Sequence, residues 1–452
     1  MAIQKYSLTS KFRIYYIDHK EYTVYNRLHV KEKTIHISLT SQPVVFTSIK
    51  QFVEEGSMDV FKEMTMLSLE QATVLPYLSY RLAMDGMKVI RLEHPVYGDP
   101  NRMIGENRLG EERMNTYFMA INAGKKCVTL DLGSPEGKNI LKDLIINLKV
   151  DIFATNQLPR NYEKLGIDYG TLKSIKPDIV WVGLTGFGPD SNEAAYDPIL
   201  QARGGLMELT GNAGEDPQVV GIPLPDMGTS EHAYGLIMKA LVKRAMTGEG
   251  SRIDVSMFMS TTSWLTVPIC LTKSFGNKIS RRGNTHEFFA PVSVYETKDG
   301  YVYIAVGNDR QFASMTQLPG FEKLARPEYE KNKGRIGDVK NLNDMINACT
   351  KTKTTAEMIE MCNKATIAIS RVNTIEEVIE DEYVKGAMLT SRDPKTGTQI
   401  WMAPPPFMTP FLKESNRQMT FPPRFGEHNA EVYGDIGYTQ EQMAGLKEKG
   451  II

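Results

Sequence analysis

From Met58 onward, short strand-like runs alternate with helix-like ones, and this alternation constrains the fold more than any other feature. Met87-Lys-Val-Ile-Arg-Leu-Glu93, Lys126-Cys-Val-Thr-Leu-Asp-Leu132, Val150–Thr155 and Asp178-Ile-Val-Trp-Val-Gly-Leu184 are apolar and β-branched, and read as strands. Between them, Tyr77–Asp85 has helical periodicity, with Gly86 placed to close it. Ser134-Pro135-Glu136 is a helix start, a capping hydroxyl followed by Pro at the first helical position. Ile140, Leu141, Leu144, Ile145 and Leu148 fall on one face of the helix that follows. Leu172–Pro177 leads into the fourth strand. Strands separated by helices pair in parallel through right-handed crossovers. The expected class is α/β.

The texture changes near residue 283. Val292–Thr297 and Tyr301–Val306 flank Lys298-Asp299-Gly300, a hairpin signal. With helical segments around 343–365, this marks a smaller α+β unit over 283–375, inserted between a large-domain part at 58–282 and a return over 376–452. Residues 1–57 differ from the rest. They carry eight Lys/Arg against five Asp/Glu, and Lys11–Ile17 and Lys33–Leu39 read as strands. Two readings stay open: a β-rich appendage, or a fused leader that ends at Gly56-Ser57, with Met58 as the native start.

Charge and cysteine usage exclude several function classes. Lys+Arg total 53 and Asp+Glu 54, a net −1, so the basic footprint of a nucleic-acid binder is missing. Subtracting the +3 of residues 1–57 leaves a body of net −4, so an acidic ligand must be met by a few placed groups. Cys127, Cys270, Cys349 and Cys362 are too scattered for a zinc cluster or a disulfide framework, which fits a reducing, cytoplasmic setting. No apolar run approaches a membrane span, and the first twenty residues lack a signal-peptide core. Neither G-x-G-x-x-G, a P-loop, G-x-S-x-G nor H-E-x-x-H occurs, which argues against dehydrogenase, NTPase, serine hydrolase and zinc protease chemistry. No metal is expected.

A set of motifs points elsewhere. In order, they are Asp85-Gly-Met-Lys-Val-Ile-Arg-Leu-Glu-His-Pro95 with Gly98-Asp99, and Asn122-Ala-Gly-Lys-Lys126 with Ser134-Pro-Glu-Gly137. Then come Asn156-Gln-Leu-Pro159 with Leu165-Gly166, Leu184-Thr-Gly-Phe-Gly188, Tyr196-Asp197, Gly221-Ile-Pro-Leu-Pro-Asp226 and Thr247-Gly-Glu-Gly250. Gly426-Glu-His428 and Ile436-Gly-Tyr438 close the series. In this order and spacing the chain resembles the class III CoA-transferases (the CaiB/BaiF family). That group contains formyl-CoA transferase and carnitine CoA-transferase, with α-methylacyl-CoA racemase as a relative. The resemblance implies a Rossmann-like large domain built from both ends of the chain, a small domain, and two chains interlocked as rings. The partner chain is either a second copy or a paralogous subunit.

The resemblance further implies transfer of CoA from an acyl-CoA donor to a carboxylic acid. Asp226 matches the family's nucleophile. Read by itself, Asp226 lies after a Pro-rich stretch and before an expected helix over 229–246, where an Asp is most often a plain N-cap. The positive end of that helix would favour its ionised, nucleophilic form. Tyr196, Asp197 and Tyr117 match substrate-pocket positions. Ala72, Thr73, His94, Lys125, Leu130, Asn156, Lys164 and Met257 match CoA contacts, and Lys125, Lys126 and Lys164 are suited by charge to phosphates. Two departures from the family matter. His94 stands where an Arg is frequent, and Arg281-Arg-Gly-Asn-Thr-His286 replaces a glycine-rich gate. The racemases use a histidine where this chain has Tyr196, and no histidine lies between His94 and His232, which disfavours the epimerase alternative. A non-catalytic subunit is the other alternative. The finer expectation is a succinyl-CoA donor and a substituted succinate, such as benzylsuccinate, as acceptor.

Overall fold

The computed structural model describes residues 59–452 and, before them, the backbone of four strands. These are β1 (Lys5–Ser7), β2 (Arg13–Tyr15), β3 (Val24–Val30) and β4 (Lys33–Leu39), an antiparallel sheet in sequence order that belongs to a separate compact unit, Met1–Val60. The Gly56-Ser57-Met58 stretch lies outside the described residues.

The second unit, Phe61–Ile452, is built on six parallel strands. They are β5 (Thr65–Leu69), β6 (Lys88–Glu93), β7 (Lys125–Thr129), β8 (Ile152–Thr155), β9 (Val180–Thr185) and β10 (Ser251–Ser256), in the order β10-β9-β8-β5-β6-β7. The chain winds outward from β5 to β7, then returns to lay β8 on the other side of β5. The strand order therefore reverses between β5 and β8, and ligands of such sheets bind at that crevice, beyond the carboxyl ends of the strands.

Side-chain alternation explains why the sheet is buried on both faces. Met66, Val89, Ile152, Ala154, Val180 and Val182 enter one core, while Leu67, Ile90, Leu92, Phe153 and Trp181 enter the other. Trp181 is fully buried, donates its Nε1–H to the carbonyl of Ile167 at 2.8 Å, and meets the Tyr162 ring edge-on. Burying an aromatic of this size contributes about 2–3 kcal/mol. The helix Pro135–Asn147 begins as its sequence predicts, with Ser134 Oγ accepting from Gly137 N–H at 2.9 Å. After the helix Val74–Met84, Gly86 adopts φ +93°, the left-handed conformation glycine tolerates best.

Later elements form two smaller three-stranded sheets. β11 (Val292–Thr297) and β12 (Gly300–Ala305) make the expected hairpin, joined by β13 (Ala368–Arg371). The helices Val339–Thr350 and Thr355–Lys364 share a core with them through Leu342, Ile346, Met358 and Cys362. β14 (Leu389–Arg392), β15 (Gln399–Met402) and β16 (Gln418–Met419) follow. Val432, Tyr433, Leu446, Ile451 and Ile452 pack with Trp181 and Phe153, and Asp131 N–H donates to the Ile451 carbonyl at 2.8 Å. Among the described residues, no helix is long and apolar enough to cross a membrane, and no group of His, Cys, Asp and Glu is placed to hold a metal ion.

Candidate active site

The crevice between β5 and β8 opens into a cavity of about 920 Å³. Ala72, Thr73, Tyr117, Asn156, Tyr196, Asp197, Asp226 and Met257 all line it. Eight residues spread over nearly 190 positions thus reach one space because they follow the ends of β5, β8, β9 and β10 or sit on helices facing them.

The lip of the cavity is the turn after β5. Asn156, just beyond β8, bonds both ways across the crevice: its Oδ1 accepts from Gln71 N–H at 3.2 Å and its Nδ2 donates to the Gln71 carbonyl at 2.8 Å. Ala72 adopts φ +60°, a left-handed conformation that costs a residue with a Cβ about 1–2 kcal/mol. Two neighbours hold it there. Asp99 Oδ1 accepts from Ala72 N–H at 3.0 Å, and Asn101 Nδ2 donates to its carbonyl at 2.6 Å. Thr73 Oγ1 lies 3.2 Å from the Tyr117 hydroxyl and does not cap the helix it precedes, which leaves first-turn N–H groups of that helix without a side-chain partner. A helix start of this kind, flanked by amides, fits the phosphates of a CoA ester.

Asp226 lies inside the first turn of a 24-residue helix, Leu224–Thr247, with Pro223 at its N-cap. Both the expected start at 229 and the N-cap reading of Asp226 are therefore corrected. Pro225 extends the helix upstream because first-turn N–H groups have no intrahelical acceptor, so nothing is lost where proline lacks one. Asp197 begins the helix Asp197–Arg203, and its Oδ2 accepts from Asp226 N–H at 3.1 Å. The Ala195–Asp197 segment packs on the end of β9 only over glycine: a Cβ on Gly186 would come within 2.7 Å of the Ala195 Cβ.

Burial, and then the Asp197 charge, push the Asp226 carboxyl up to about 7. Burial likewise raises Asp197, against the hydrogen bonds it accepts from Gln201 and Asp226. The expectation that the helix end favours ionised Asp226 is thus outweighed by desolvation. The proton is held loosely near neutral pH, and the ionised form is a desolvated, reactive carboxylate.

Other expected ligands lie elsewhere. Lys125 is corrected. It is 2% exposed, and its ammonium is consumed by Glu70 Oε1 at 3.0 Å, the Pro76 carbonyl at 2.7 Å and Asn122 Oδ1 at 2.8 Å. All three of its donors are used, so none is left for a phosphate. It belongs to a buried network in which Arg91 pairs with Glu93 at 2.9 Å and Asp99 at 2.7 Å, and Arg102 with Glu93 at 2.7 Å. Leu130 places its side chain in a hydrophobic core rather than on the cavity wall. His94 and Lys164 lie outside the cavity lining. His94 Nδ1 accepts from Val96 N–H at 3.1 Å, and Lys164 is exposed on the short helix Tyr162–Leu165. Lys126 pairs with Glu431 at 2.6 Å. Arg281 and Arg282 are engaged by Glu208 and Glu287. Gln201, which contacts Asp197, was missed by sequence reasoning; its only signal was the i, i+4 spacing from Asp197.

A parallel sheet with its crevice at the β5–β8 reversal and carboxyls on the cavity wall define an α/β fold with a switch-point binding site. The family model described as CoA-transferase family III matches residues 61–429, and the chain belongs to that family. It is a class III CoA-transferase, an enzyme that moves CoA between an acyl-CoA and a carboxylic acid. An acyl-CoA transferase of Fusarium pseudograminearum is 30% identical over 400 residues, covering 86% of this chain and 87% of that one. The succinyl-CoA:glutarate CoA-transferase of Mus musculus is 29% identical over 404 residues, covering 88% and 91%. A crystal structure of a CaiB/BaiF family protein from Brucella suis, 28% identical, superposes with a TM-score of 0.72 over 82% of this chain and 98% of that one.

Proposed function

We propose that Asp226 is the nucleophile of CoA transfer and that the reaction passes through covalent aspartyl intermediates. The observation that carries this reading is a half-buried carboxyl, raised to about 7, on the wall of the switch-point cavity. Asp226 attacks the donor thioester carbonyl, forming a mixed anhydride and releasing the CoA thiolate. The aspartyl carbonyl of the anhydride then takes the thiolate and expels the donor carboxylate. The resulting aspartyl thioester takes up the acceptor carboxylate, giving a second anhydride and again the thiolate. Attack of that thiolate on the acceptor's acyl carbonyl yields the new CoA ester and regenerates the Asp226 carboxylate. Each intermediate is open to hydrolysis, so productive transfer requires that water be kept from the cavity while the intermediates last.

Ala72, Thr73 and Asn156 cradle the CoA portion, with Met257 on the wall, while Tyr117, Tyr196 and Asp197 face the acyl and acid groups. The donor is succinyl-CoA and the acceptor a dicarboxylic acid, a reading supported by the relative that acts on succinyl-CoA and glutarate. Val219, Ile222, Ile104 and Tyr196 on the cavity wall suit an acceptor with an apolar arm, such as a substituted succinate of the benzylsuccinate type. Two chains assemble as interlocked rings, either as a homodimer or with a paralogous subunit. The helix Thr266–Phe275 supports this, because it buries none of its residues within the single chain.

Intact-mass measurement after mixing with succinyl-CoA and quenching in hydroxylamine tests the reading. The expected result is an aspartyl hydroxamate at Asp226, absent from Asp226→Asn. Unlabelled protein that exchanges the α-proton of an acyl-CoA would replace the nucleophile reading with an epimerase one.

A further inference from the structure

We infer that Gln201 is a positioning residue whose buried carboxamide ties the cavity wall at Val219–Ile222 to the carboxylate that holds the nucleophile's turn. The inference rests on the reading of Asp226 as nucleophile. Gln201 is 1% exposed and faces three groups at once. Its Oε1 accepts from Val220 N–H at 2.8 Å. Its Nε2 donates to Asp197 Oδ1 at 2.6 Å and to the Ile222 carbonyl at 3.3 Å. The other oxygen of Asp197 accepts from Asp226 N–H at 3.1 Å. A continuous chain of hydrogen bonds thus runs from the wall through Gln201 and Asp197 to the backbone of Asp226.

These partners dictate the residue type. An N–H can be met only by an oxygen, and a carboxylate and a carbonyl only by an N–H, so the carboxamide has one workable orientation. A glutamate of the same shape would satisfy Val220 but set an oxygen against Asp197. Among the described residues, Gln201 is the only side chain that donates to Asp197, and no Lys, Arg or His side chain bonds to or pairs with Asp197 or Asp226. Glu193, the remaining acid on the cavity wall, is paired to Arg203 at 2.8 Å. A substrate pressing on Val219–Ile222 therefore acts on the nucleophile's turn through Gln201.

The test compares Gln201→Glu and Gln201→Leu with the wild type, using succinyl-CoA as probe. The readouts are the rate of hydroxamate formation at Asp226 and its dependence on succinyl-CoA concentration. Loss of a hydrogen bond to a charged group should slow acylation by about 10- to 100-fold near pH 8, with half-saturation changed less than about twofold. Protonation of the introduced glutamate restores a donor to Asp197, so the deficit of Gln201→Glu relative to wild type should shrink as the pH falls toward about 6, while that of Gln201→Leu stays constant. A purely structural role would give no such pH-dependent rescue. Unchanged acylation, or a Gln201→Glu deficit that ignores pH, overturns the proposal. If Gln201→Leu fails to fold, the isosteric Gln201→Glu decides alone.

If wild type forms no hydroxamate, the nucleophile reading fails, and amide hydrogen exchange judges the clasp by itself. Val220 should then exchange about tenfold faster in Gln201→Leu, and Asp226 about tenfold faster in both variants. Unchanged exchange overturns the proposal.

Discussion

Replacing Asp226 with Asn should abolish the chemistry and stabilise the fold together. The carboxyl is raised from near 4 to about 7 by burial and by Asp197. At about 1.4 kcal/mol per tenfold change in proton affinity, holding it ionised costs about 4 kcal/mol. Water still reaches this half-buried group, which discounts the cost to about 2 kcal/mol. The folded state binds the proton more tightly than the unfolded one, so this term destabilises as pH rises from about 4 and levels off above about 7. The introduced asparagine cannot ionise. The variant should therefore exceed wild type by about 2 kcal/mol near pH 8, with the gap narrowing on acidification and nearly closed below about pH 3. Urea unfolding at one fixed protein concentration measures the gap, because assembly makes apparent stability depend on concentration. A variant less stable than wild type near pH 8, or a gap that does not close on acidification, would refute the reasoning.

Further predictions concern the surroundings of Asp226. Asp197→Asn removes the charge that helps raise Asp226, so the acid limb of the acylation rate should move to lower pH; an unmoved limb would show that the two carboxyls do not interact. Lys125→Met leaves Glu70 without its nearest cation and should cost about 3–5 kcal/mol, with no change in the salt dependence of acyl-CoA binding. A fully stable Lys125→Met that binds acyl-CoA weakly would return Lys125 to a phosphate-binding role. Asn156→Ala removes both hydrogen bonds to Gln71 and should raise the KM for acyl-CoA by about 5- to 30-fold, with kcat changed less. An unaltered KM would mean that the lip holds its shape without Asn156.

Much of the sheet was legible because its signal is local. Trp181 and Phe153 point one way and Val180, Val182 and Ile152 the other, and the β-branched runs that carry them show in the sequence. The helix start at Ser134-Pro135 was equally plain, since a cap and a proline act within four residues. The start of the helix that carries Asp226 was not. Pro223 and Pro225 look like an extended stretch, yet a first turn tolerates them. The phosphate role expected of Lys125 failed for a different reason. A lysine at the start of a strand looks solvated, and only the arrival of Glu70 from the end of β5 and Asn122 from the preceding loop shows that its charge is spent inside the protein.

The sequence by itself determined the α/β class and the family, because motif order and strand periodicity are written in neighbouring residues, while the structure brings Asp226, Tyr196 and Asp197 to one cavity wall. Tertiary structure alone decided the electrostatics of that site. The carboxyl is raised because Asp197 arrives from another helix and the cavity walls displace water, and Gln201 matters because two segments about twenty residues apart converge on one amide. Desolvation and hydrogen-bond geometry depend on which distant parts of the chain meet, and no local pattern encodes that meeting.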